Sequence, residues 1–561
     1  MAPPPYKPED EEVNKYFYGF SGNPRLVART GHNHWVESLS TEAGWGQRLV
    51  QDRKYYLAVQ DPEIIKKWNK DKELSIQIMG LLDQCNWSYF FPVRIGLRDD
   101  YNHPKGVPAT ILLIAVEPGS LQWEAGIKIA LSCRDLIQRL GIFDVEVEIM
   151  EGRYTEYAAS IELEPFFDRK DVIGKHVLPL LPYLGYPIAY LEDKKGQGTM
   201  GLHVKLGNDP KIYGLTCRHV VWNDRKAHES YKSSENKSSE DNRQFHIQAN
   251  QMTFYDIQHE LDLKKEEIEE LIKPRELRIS KRDEIYQWDP PRNVPPPNEN
   301  DRQQLATLKG NLTRYASTLR ILEKYDERKD RQIGHLAFLQ SFTLSPRQLG
   351  YFRDWALIEL DLSKFPRAPD NKVALNLPGE IANPIGLPFP EQELVLPNAD
   401  TTSPKFVAKR GATTGLTVGQ MSAIEAVVRR PGHGEDKNVF TWELLIIPGS
   451  GPLGEVNVAD RFSHKGDSGS AIFDGSGTIV GIVTAGNESG DWRGVPDKQT
   501  SSSREHRKLK GGLNIAPQDA DKTPTSERVE MPTGTDITFA HPIKWVLDDI
   551  EEFTGQKVQL A

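Results

Sequence analysis

The apolar positions of the chain repeat with different periods in different regions, and each period predicts a different element. Residues 110–116 form a continuous apolar run, which is typical of a buried strand. Apolar residues in 123–140 recur at helical spacing, and residues 145–149 alternate between apolar and acidic, which predicts a half-exposed strand. Ser120 is the expected N-cap of the helix, and Gly141 is expected to end it. The pattern predicts a β-α-β unit in the N-terminal third of the chain.

A charged stretch, residues 224–332, carries two helical patterns. The apolar positions of one pattern repeat in heptads, as in a coiled coil, and are Leu305, Leu308, Leu312, Tyr315, Leu319 and Leu322. A weaker stripe, interrupted by Lys264, precedes it at Ile257, Leu261, Ile268 and Leu271. Prolines between residues 290 and 297 cannot continue either helix. The stretch is therefore expected to form an antiparallel helical hairpin.

Two roles for this hairpin stay open. Its helices can pack on each other as a solvated pair with no further role. Alternatively, the hairpin is a dimerisation arm that makes a homo-oligomer, or a gate over a neighbouring cleft.

Three short segments each join an apolar strand to a residue that serine catalysis requires. His219 follows one strand, Asp354 precedes another, and Ser468 lies in the sequence Gly-Asp-Ser-Gly-Ser just before the apolar residues 471–473. A serine nucleophile needs a base within hydrogen-bond reach, and the base needs a third group that fixes its tautomer. Each motif alone is also compatible with an ordinary turn or strand end, because Gly, Asp and Ser are common turn residues. Together they predict a catalytic triad.

These motifs, Thr-x-x-His-Val, Asp-x-Ala-Leu-Ile and Gly-Asp-Ser-Gly-Ser, resemble in sequence and order those of the chymotrypsin-type (trypsin-like) serine peptidases. Subtilisin-like enzymes and α/β-hydrolases have other orders. The resemblance implies a mainly β fold with two antiparallel β-barrels and no metal or cofactor. It also implies that Ser468 attacks the scissile carbonyl, His219 transfers the proton and Asp354 orients His219. The backbone N–H groups of Gly466 and Ser468 would form the oxyanion hole.

The residues expected to form the specificity pocket depart from trypsin itself. The position six residues before Ser468, where trypsin carries an aspartate, is Phe462 here, so a preference for Lys or Arg is not expected. Ser463 is expected to line the base of the pocket, and Thr484 and Gly486 one wall. An apolar or small side chain is the expected preference.

Asp467 marks a second departure. In family members made as zymogens, its equivalent pairs with a new N-terminus that cleavage frees ahead of the first barrel. Residues 185–189 and the long extension before them contain no secreted-type activation sequence. Activation by that route is therefore not expected.

Composition limits the class of protein further. The chain has 561 residues, a net charge of -10 and only three cysteines, Cys85, Cys133 and Cys217. The negative charge argues against nucleic acid as a partner. Few cysteines, no apolar signal core at the N-terminus and no apolar run long enough to span a bilayer predict a cytoplasmic or nuclear protein without a membrane partner.

The expected division of the chain is a poorly ordered N-terminus (1–30), an α+β accessory domain (31–160), a linker (161–186) and a peptidase domain (187–555). The peptidase domain would contain the helical insertion (224–332) in its first barrel and a mobile loop (487–535). The chain, including its N-terminal region, resembles uncharacterised fungal intracellular members of the trypsin-like family.

The sequence predicts an intracellular serine endopeptidase that acts on protein or peptide substrates. A protease-fold scaffold or regulatory binding protein with little turnover is the alternative, since the large insertion could block the cleft. Esterase activity would use the same three residues and stays open.

Overall fold

The computed structural model describes residues 5–41, 49–69, 72–99, 101–156, 183–190, 197–222, 230–233, 244–247, 254–288, 299–325, 328–345, 350–365, 367–375, 391–397, 405–431, 438–448, 461–487 and 537–561. Most of the expected linker and nearly all of the expected mobile loop lie outside these residues.

The helices in the described residues are α1 (Asp10–Lys15), α2 (Pro62–Asn69), α3 (Glu73–Leu82), α4 (Trp123–Arg139), α5 (Arg218–Val221), α6 (Phe254–Trp288), α7 (Glu299–Leu322) and α8 (Ile543–Thr554). The strands of the N-terminal part are β1 (Leu26–Arg29), β2 (Leu39–Thr41), β3 (Leu49–Gln51), β4 (Arg53–Leu57), β5 (Trp87–Arg98), β6 (Pro104–Val116), β7 (Glu146–Glu151) and β8 (Tyr154–Glu156). The middle part contains β9 (Pro187–Tyr190), β10 (Gln197–Thr199), β11 (Leu202–Leu206), β12 (Tyr213–Thr216), β13 (Tyr231–Lys232), β14 (Gln244–Ile247), β15 (Gln332–Leu339), β16 (Ala356–Leu360), β17 (Lys372–Ala374) and β18 (Glu391–Glu393). The C-terminal part contains β19 (Lys405–Gly411), β20 (Gly415–Pro431), β21 (Asn438–Pro448), β22 (Ala471–Asp474), β23 (Ile479–Asn487), β24 (Thr538–Pro542) and β25 (Val558–Leu560).

The predicted β-α-β unit is confirmed. Strands β6 and β7 pair in parallel, and α4 lies between them in the chain. The helix ends before Gly141, whose φ of +81° suits a glycine after a helix end. The predicted N-cap is wrong, because the helix begins after Gln122, and the Ser120 hydroxyl donates instead to the Glu117 carbonyl in the preceding turn.

The predictions of a half-exposed β7 and a poorly ordered N-terminus are both wrong, and for one reason. Residues 10–30, within the expected disordered stretch 1–30, form α1 and β1, and β1 pairs with β7. Phe17 and Phe20 are fully buried and their rings stack. Glu148 of β7 accepts a hydrogen bond from the Tyr16 hydroxyl under this cover. Burial of its apolar residues thus stabilises an ordered structure in the N-terminal segment, although the segment is rich in prolines and charges.

The N-terminal sheet continues into the C-terminal part of the chain. Strand β5 pairs antiparallel with β20, with Phe90 opposite Val427. The resulting 12-stranded sheet has the order β1-β7-β6-β5-β20-β19-β22-β23-β24-β21, and β4 and β8 pair with β5 and β23. Trp68 Nε1 of α2 also donates to the Glu425 carbonyl at 2.9 Å. The expected accessory domain therefore shares a sheet and a core with the region that carries Ser468.

Six strands of this sheet pair in an order that returns to its start: β19 with β20, β20 with β21, β21 with β24, β24 with β23, β23 with β22 and β22 with β19. The second sheet has nine strands in the order β10-β9-β14-β15-β16-β12-β11-β25, with β13 on β15. The fold is mainly β and contains one large mixed sheet. In the described residues, the strands form these two large sheets and two small two-stranded sheets, β2-β3 and β17-β18. The two closed barrels that the resemblance implies remain a prediction.

The predicted helical hairpin is confirmed in the described residues. Ion pairs join Lys309 to Glu276 at 2.6 Å and Arg302 to Asp283 at 2.7 Å, so the two helices run antiparallel. The heptad positions of α7 within residues 305–319 are half-buried along the facing side. The helices thus pack on each other through the predicted seam.

The stripe on α6 differs from the prediction at its C-terminal end. Leu271 is exposed, whereas the neighbouring Ile272 is buried, as are Leu261 and Ile279. The difference arises because the helix continues unbroken to Trp288, and its buried positions shift by one residue after Ile268. At the base of the hairpin, Leu261 enters the core of the nine-stranded sheet.

A buried histidine in β11 belongs to that core. His203 Nδ1 donates to the Asp370 carbonyl at 2.8 Å, and Tyr186 donates its hydroxyl to Nε2 at 3.1 Å. Both ring nitrogens are therefore occupied in the neutral form. Burial lowers the pKa of His203 to about 4.

Acidification should therefore destabilise the chain through His203. An unfolded histidine takes up a proton near pH 6.5, whereas folded His203 does so only near pH 4. The stabilisation is complete above pH 6.5 and is lost as the pH falls toward 4, by about 2 kcal/mol at pH 5. Urea unfolding measures the free energy of unfolding at pH 7.5 and at pH 5. The fall between the two pH values should be smaller by this amount in His203→Asn than in the parent. An equal loss in parent and variant would contradict the prediction.

Two further observations concern the cysteines and the polarity of the helices. Cys85, Cys133 and Cys217 are all free thiols. Within the described residues, each helix is either too short or too polar to cross a lipid bilayer.

Candidate active site

The pairing of β12 with β16 brings two residues of the expected triad together. His219 lies in α5, directly after β12, and Asp354 lies just before β16. Thr216 of β12 stands opposite Ala356 of β16, so residues 135 positions apart in the chain meet at one end of the sheet. Ser468 comes from the turn before β22 in the other sheet. The site thus lies where the two sheets face each other.

The three side chains form a continuous hydrogen-bond chain. Asp354 Oδ2 accepts from His219 Nδ1 at 2.7 Å, and Oδ1 accepts from the backbone N–H of His219 at 3.0 Å. His219 Nε2 lies 2.8 Å from Ser468 Oγ. Since the carboxylate holds the proton on Nδ1, Nε2 is the acceptor that faces the serine hydroxyl. The Thr484 carbonyl, 3.1 Å from Oγ, is a second acceptor.

Burial and charge set the protonation of these groups. The exposed fractions of His219, Asp354 and Ser468 are 1%, 3% and 0%. Burial raises the pKa of Asp354, but His219 and Arg430 lower it more, and the net value lies well below the usual range. Burial lowers the pKa of His219, and the Asp354 carboxylate with its hydrogen bond reverses this, so the net shift is upward. Asp354 therefore stays ionised and stabilises an imidazolium on His219.

The turn that carries Ser468 has two backbone N–H groups without an acceptor among the described residues. Asp467 donates its N–H to the His464 carbonyl at 2.9 Å, and Gly466 has a φ of +98°, which glycine adopts without strain. The Gly466 carbonyl accepts from the Thr199 hydroxyl at 2.8 Å. In the part of the chain that the structure describes, the N–H groups of Gly466 and Ser468 meet no acceptor. Such donors beside a nucleophile can stabilise an oxyanion.

An internal ion pair holds this turn. Lys409 Nζ lies 3.1 Å from Asp467 Oδ2, and both side chains are fully buried. Asp467 also accepts the N–H groups of His464 and Thr413, each at 2.9 Å, and Lys409 donates to the Thr414 hydroxyl. Burial lowers the pKa of Lys409, and the charge of Asp467 offsets part of that shift. The cation beside Asp467 is thus a side chain of the same chain and needs no cleaved N-terminus.

A buried charge cluster lies behind Asp354. Arg430 Nη2 lies 2.8 Å from Glu443, and its Nη1 lies 3.3 Å from Glu156 and 3.9 Å from Asp354. Arg430 also donates to His541 Nε2 at 3.2 Å. Three carboxylates therefore surround one guanidinium, and this negative balance favours a positive charge on the neighbouring triad histidine.

Two residues of the predicted specificity pocket pack in the interior of the protein. Phe462 is fully buried and packs in an apolar cluster with Val407, Ile472 and other strand residues. Ser463 is also fully buried, and its hydroxyl pairs with the Thr538 hydroxyl at 2.6 Å. The Phe462 ring thus contributes to the core between the strands, and its role in a specificity pocket stays a prediction.

The other two pocket residues lie beside the nucleophile on β23. The Thr484 hydroxyl donates to Glu443 at 2.9 Å, so only its carbonyl faces Ser468. Gly486 pairs with Thr155 of β8. The predicted wall is therefore a main-chain edge, and a strand of the N-terminal part already covers it.

One group of side chains near the triad has donor atoms close enough for a metal ion. These atoms, from Cys217, His219 and Asp354, lie within 4.8 Å of one another. However, Cys217 Sγ donates to the Val483 carbonyl at 3.2 Å, and burial raises the pKa of this thiol well above its ordinary value. A neutral thiol is a poor metal ligand, and His219 and Asp354 bind each other. The group suits a hydrogen-bonded triad better than a metal site.

Sequence reasoning missed Lys409, Arg430, Glu443 and Glu156. A usable signal exists for Glu443, which is the single charge in the otherwise apolar strand β21. Charged residues are rarely buried unless they are paired, so a lone charge in such a strand indicates a buried partner. Glu156 carries no comparable signal, because the apolar pattern does not single out its segment.

No protein-family model and no curated protein matches this chain. The chemistry of the site therefore has to be inferred from its own residues and geometry.

Proposed function

We propose that the chain is a chymotrypsin-type serine endopeptidase that cleaves peptide bonds through an acyl-enzyme intermediate. The observation that carries the proposal is the hydrogen-bond chain from Asp354 through His219 to Ser468, with distances of 2.7 and 2.8 Å. A nucleophile, a base in contact with it and a buried acid on the far side of the base are the parts that such chemistry requires.

The reaction follows from these contacts. Ser468 Oγ attacks the substrate carbonyl carbon while its proton moves to His219 Nε2, and the carbonyl π electrons move to oxygen. In this proposal the N–H groups of Gly466 and Ser468 bind that oxyanion. The intermediate then expels the amine, which takes the proton from His219. Water repeats the sequence on the acyl-enzyme and releases Ser468.

The strand pairings support the chymotrypsin-type assignment. The six pairings that lead from β19 back to β19 are those of a six-stranded barrel. In the other sheet, β10 lies at one end of the strand order and β11 near the other end. Only Met200 and Gly201 separate these two strands in the chain, so the two ends of the sheet are joined by a short connection. The triad lies between the two strand systems, as the resemblance implies. We therefore propose two barrels within the larger sheets.

The proposed substrates are proteins or peptides, and the proposed setting is intracellular. Free cysteines at positions 85, 133 and 217 support a reducing compartment. The Phe462 side chain lies in the core, so nothing at this position favours a basic substrate residue.

A second candidate function is a binding or scaffold protein that keeps the triad but turns over little substrate. The complete burial of Ser468 favours it, because a buried hydroxyl is reached only after some part of the chain moves.

Covalent labelling tests the proposal. A fluorophosphonate probe should add to Ser468 of the purified chain, and peptide mapping by mass spectrometry should locate the adduct there. Ser468→Ala should not react, because the activated hydroxyl is gone. Ser476→Ala, which removes an exposed hydroxyl from the neighbouring turn, should react like the parent. Absence of any adduct on the parent, with no hydrolysis of peptides or small esters, would contradict the proposal.

A further inference from the structure

The strand β23 offers a main-chain edge beside the nucleophile. Strand β22 pairs with β23 only as far as Ile482, opposite Ala471. On its other side, β23 pairs with β24 through Ala485 and Gly486. β22 therefore does not pair with the edge of β23 from Thr484 to Asn487. The pairing ends near the turn that carries Ser468. Such an edge binds extended peptides through main-chain hydrogen bonds.

Strand β8 occupies this edge. It pairs antiparallel with β23, with Glu156 opposite Ala485, Thr155 opposite Gly486 and Tyr154 opposite Asn487. Because the strands are antiparallel, β8 runs along the edge in the direction of Thr484, the residue before Ala485 in β23. The Thr484 carbonyl lies 3.1 Å from Ser468 Oγ. A segment of the N-terminal part therefore lies where an extended peptide would approach the nucleophile.

Side chains on β8 anchor the strand in place. The Tyr154 hydroxyl donates to Glu443 at 3.2 Å, and its ring packs 5.4 Å from that of Phe539. Glu156 lies 3.3 Å from Arg430, and both of these side chains are buried. The anchors are therefore specific contacts inside the charge cluster behind the triad.

The connection to the N-terminal sheet fixes β8 further. The strand follows β7 after two residues, and Gly152 between them donates its N–H to the Val116 carbonyl at 2.8 Å. Since β7 is a central strand of the N-terminal sheet, β8 is attached to a rigid body. This explains why a strand of three residues stays paired.

We infer that β8 is a built-in occupant of the β23 edge from Thr484 to Asn487, where an extended peptide substrate of the proposed peptidase would pair. The inference rests on the proposed function, since it names the ligand class, an extended peptide, and the element with which that ligand competes. A substrate reaches Ser468 when β8 leaves the edge. The N-terminal part therefore controls access to the triad.

Thr155→Pro tests this role, because proline removes the backbone N–H at the centre of β8. Thr41→Pro is the matched control, since it makes the same change in β2, another three-residue strand. Loss of one main-chain hydrogen bond, worth about 1 kcal/mol, corresponds to about a fivefold shift in the opening equilibrium. Fluorophosphonate labelling of Ser468 should be faster by about that factor in Thr155→Pro and unchanged in Thr41→Pro. Tyr154→Ala replaces Thr155→Pro if the proline variant does not fold.

A binding measurement that needs no catalysis accompanies the labelling. A fluorescent synthetic peptide of residues 151–156 is titrated into Ser468→Ala and into Thr155→Pro/Ser468→Ala. The double variant should bind about five times more tightly, because β8 leaves its edge more often. Equal labelling rates in parent and Thr155→Pro, or no peptide binding by the double variant, would overturn the inference about β8. No labelling of any variant would contradict the proposed function, and peptide binding alone would then decide the role of the edge.

Discussion

Replacing Asp354 with asparagine should slow the labelling of Ser468 by about ten-thousandfold. The carboxylate holds the proton of His219 on Nδ1, so that Nε2 can accept the hydroxyl proton. An amide can donate to Nδ1 and thereby place the ring proton on Nε2, facing Ser468, where it blocks proton transfer. The asparagine also removes the charge that stabilises the imidazolium.

The measurement is the second-order rate of fluorophosphonate labelling, with the thermal unfolding midpoint recorded for each variant. Asp361→Asn serves as the control, because Asp361 caps a short exposed turn after β16 and lies outside the site. A folded Asp354→Asn protein that reacts within about tenfold of the parent would show that the carboxylate does not direct His219.

Replacing Lys409 with methionine should destabilise the chain by about 3–5 kcal/mol, the usual cost of leaving one partner of a buried ion pair alone. Lys409 and Asp467 are both fully buried, and no water can replace the lost cation without a rearrangement. Asp467 also holds the turn that carries Gly466. Labelling of Ser468 should therefore fall by about a hundredfold or more as the oxyanion donors lose their position.

A double-mutant cycle isolates this pair. Lys409→Met/Asp467→Asn contains no unpaired buried charge and should regain part of the stability that Lys409→Met loses. Lys211→Met is the matched control: its partner is Glu359 at 2.9 Å, but Lys211 is half-exposed, so a loss under about 1 kcal/mol is expected. Chemical unfolding supplies each free energy. Strictly additive effects of the Lys409 and Asp467 changes would argue against the pair.

The parts of the fold that follow from local sequence could be predicted. The run at residues 110–116 and the helical spacing after it describe one β-α-β unit, and the heptads at 305–319 describe one helix of a hairpin. The triad was also accessible, because His219 and Ser468 lie in short motifs with fixed neighbours. Each of these signals is contained within about twenty residues.

Contacts between distant segments could not be predicted. Strand β5 is apolar on both faces, which indicates burial but does not identify β20 as its neighbour. β8 has only three residues and shows no period. Glu443 could be recognised as the single charge in its strand, but the convergence of Glu156 and Asp354 on the Arg430 guanidinium depends on the tertiary fold. The expectation of disorder fails at residues 10–30 because the burial of Phe17 and Phe20 stabilises this segment despite its prolines and charges.

The pairing of β5 with β20 also affects how the chain folds during its synthesis on the ribosome. Phe90 is synthesised long before Val427, the residue that stands opposite it. At roughly 5–20 residues per second, the wait lasts on the order of half a minute. During this time the part of β5 around Tyr89 and Phe90 presents an unpaired apolar edge, whereas β4 pairs with the other end of the strand, at Arg94–Arg98. An unpaired apolar edge is the kind of surface that promotes aggregation. Until translation reaches the partner strand, the nascent polypeptide depends on a chaperone, or on its own transient contacts, to shield that edge.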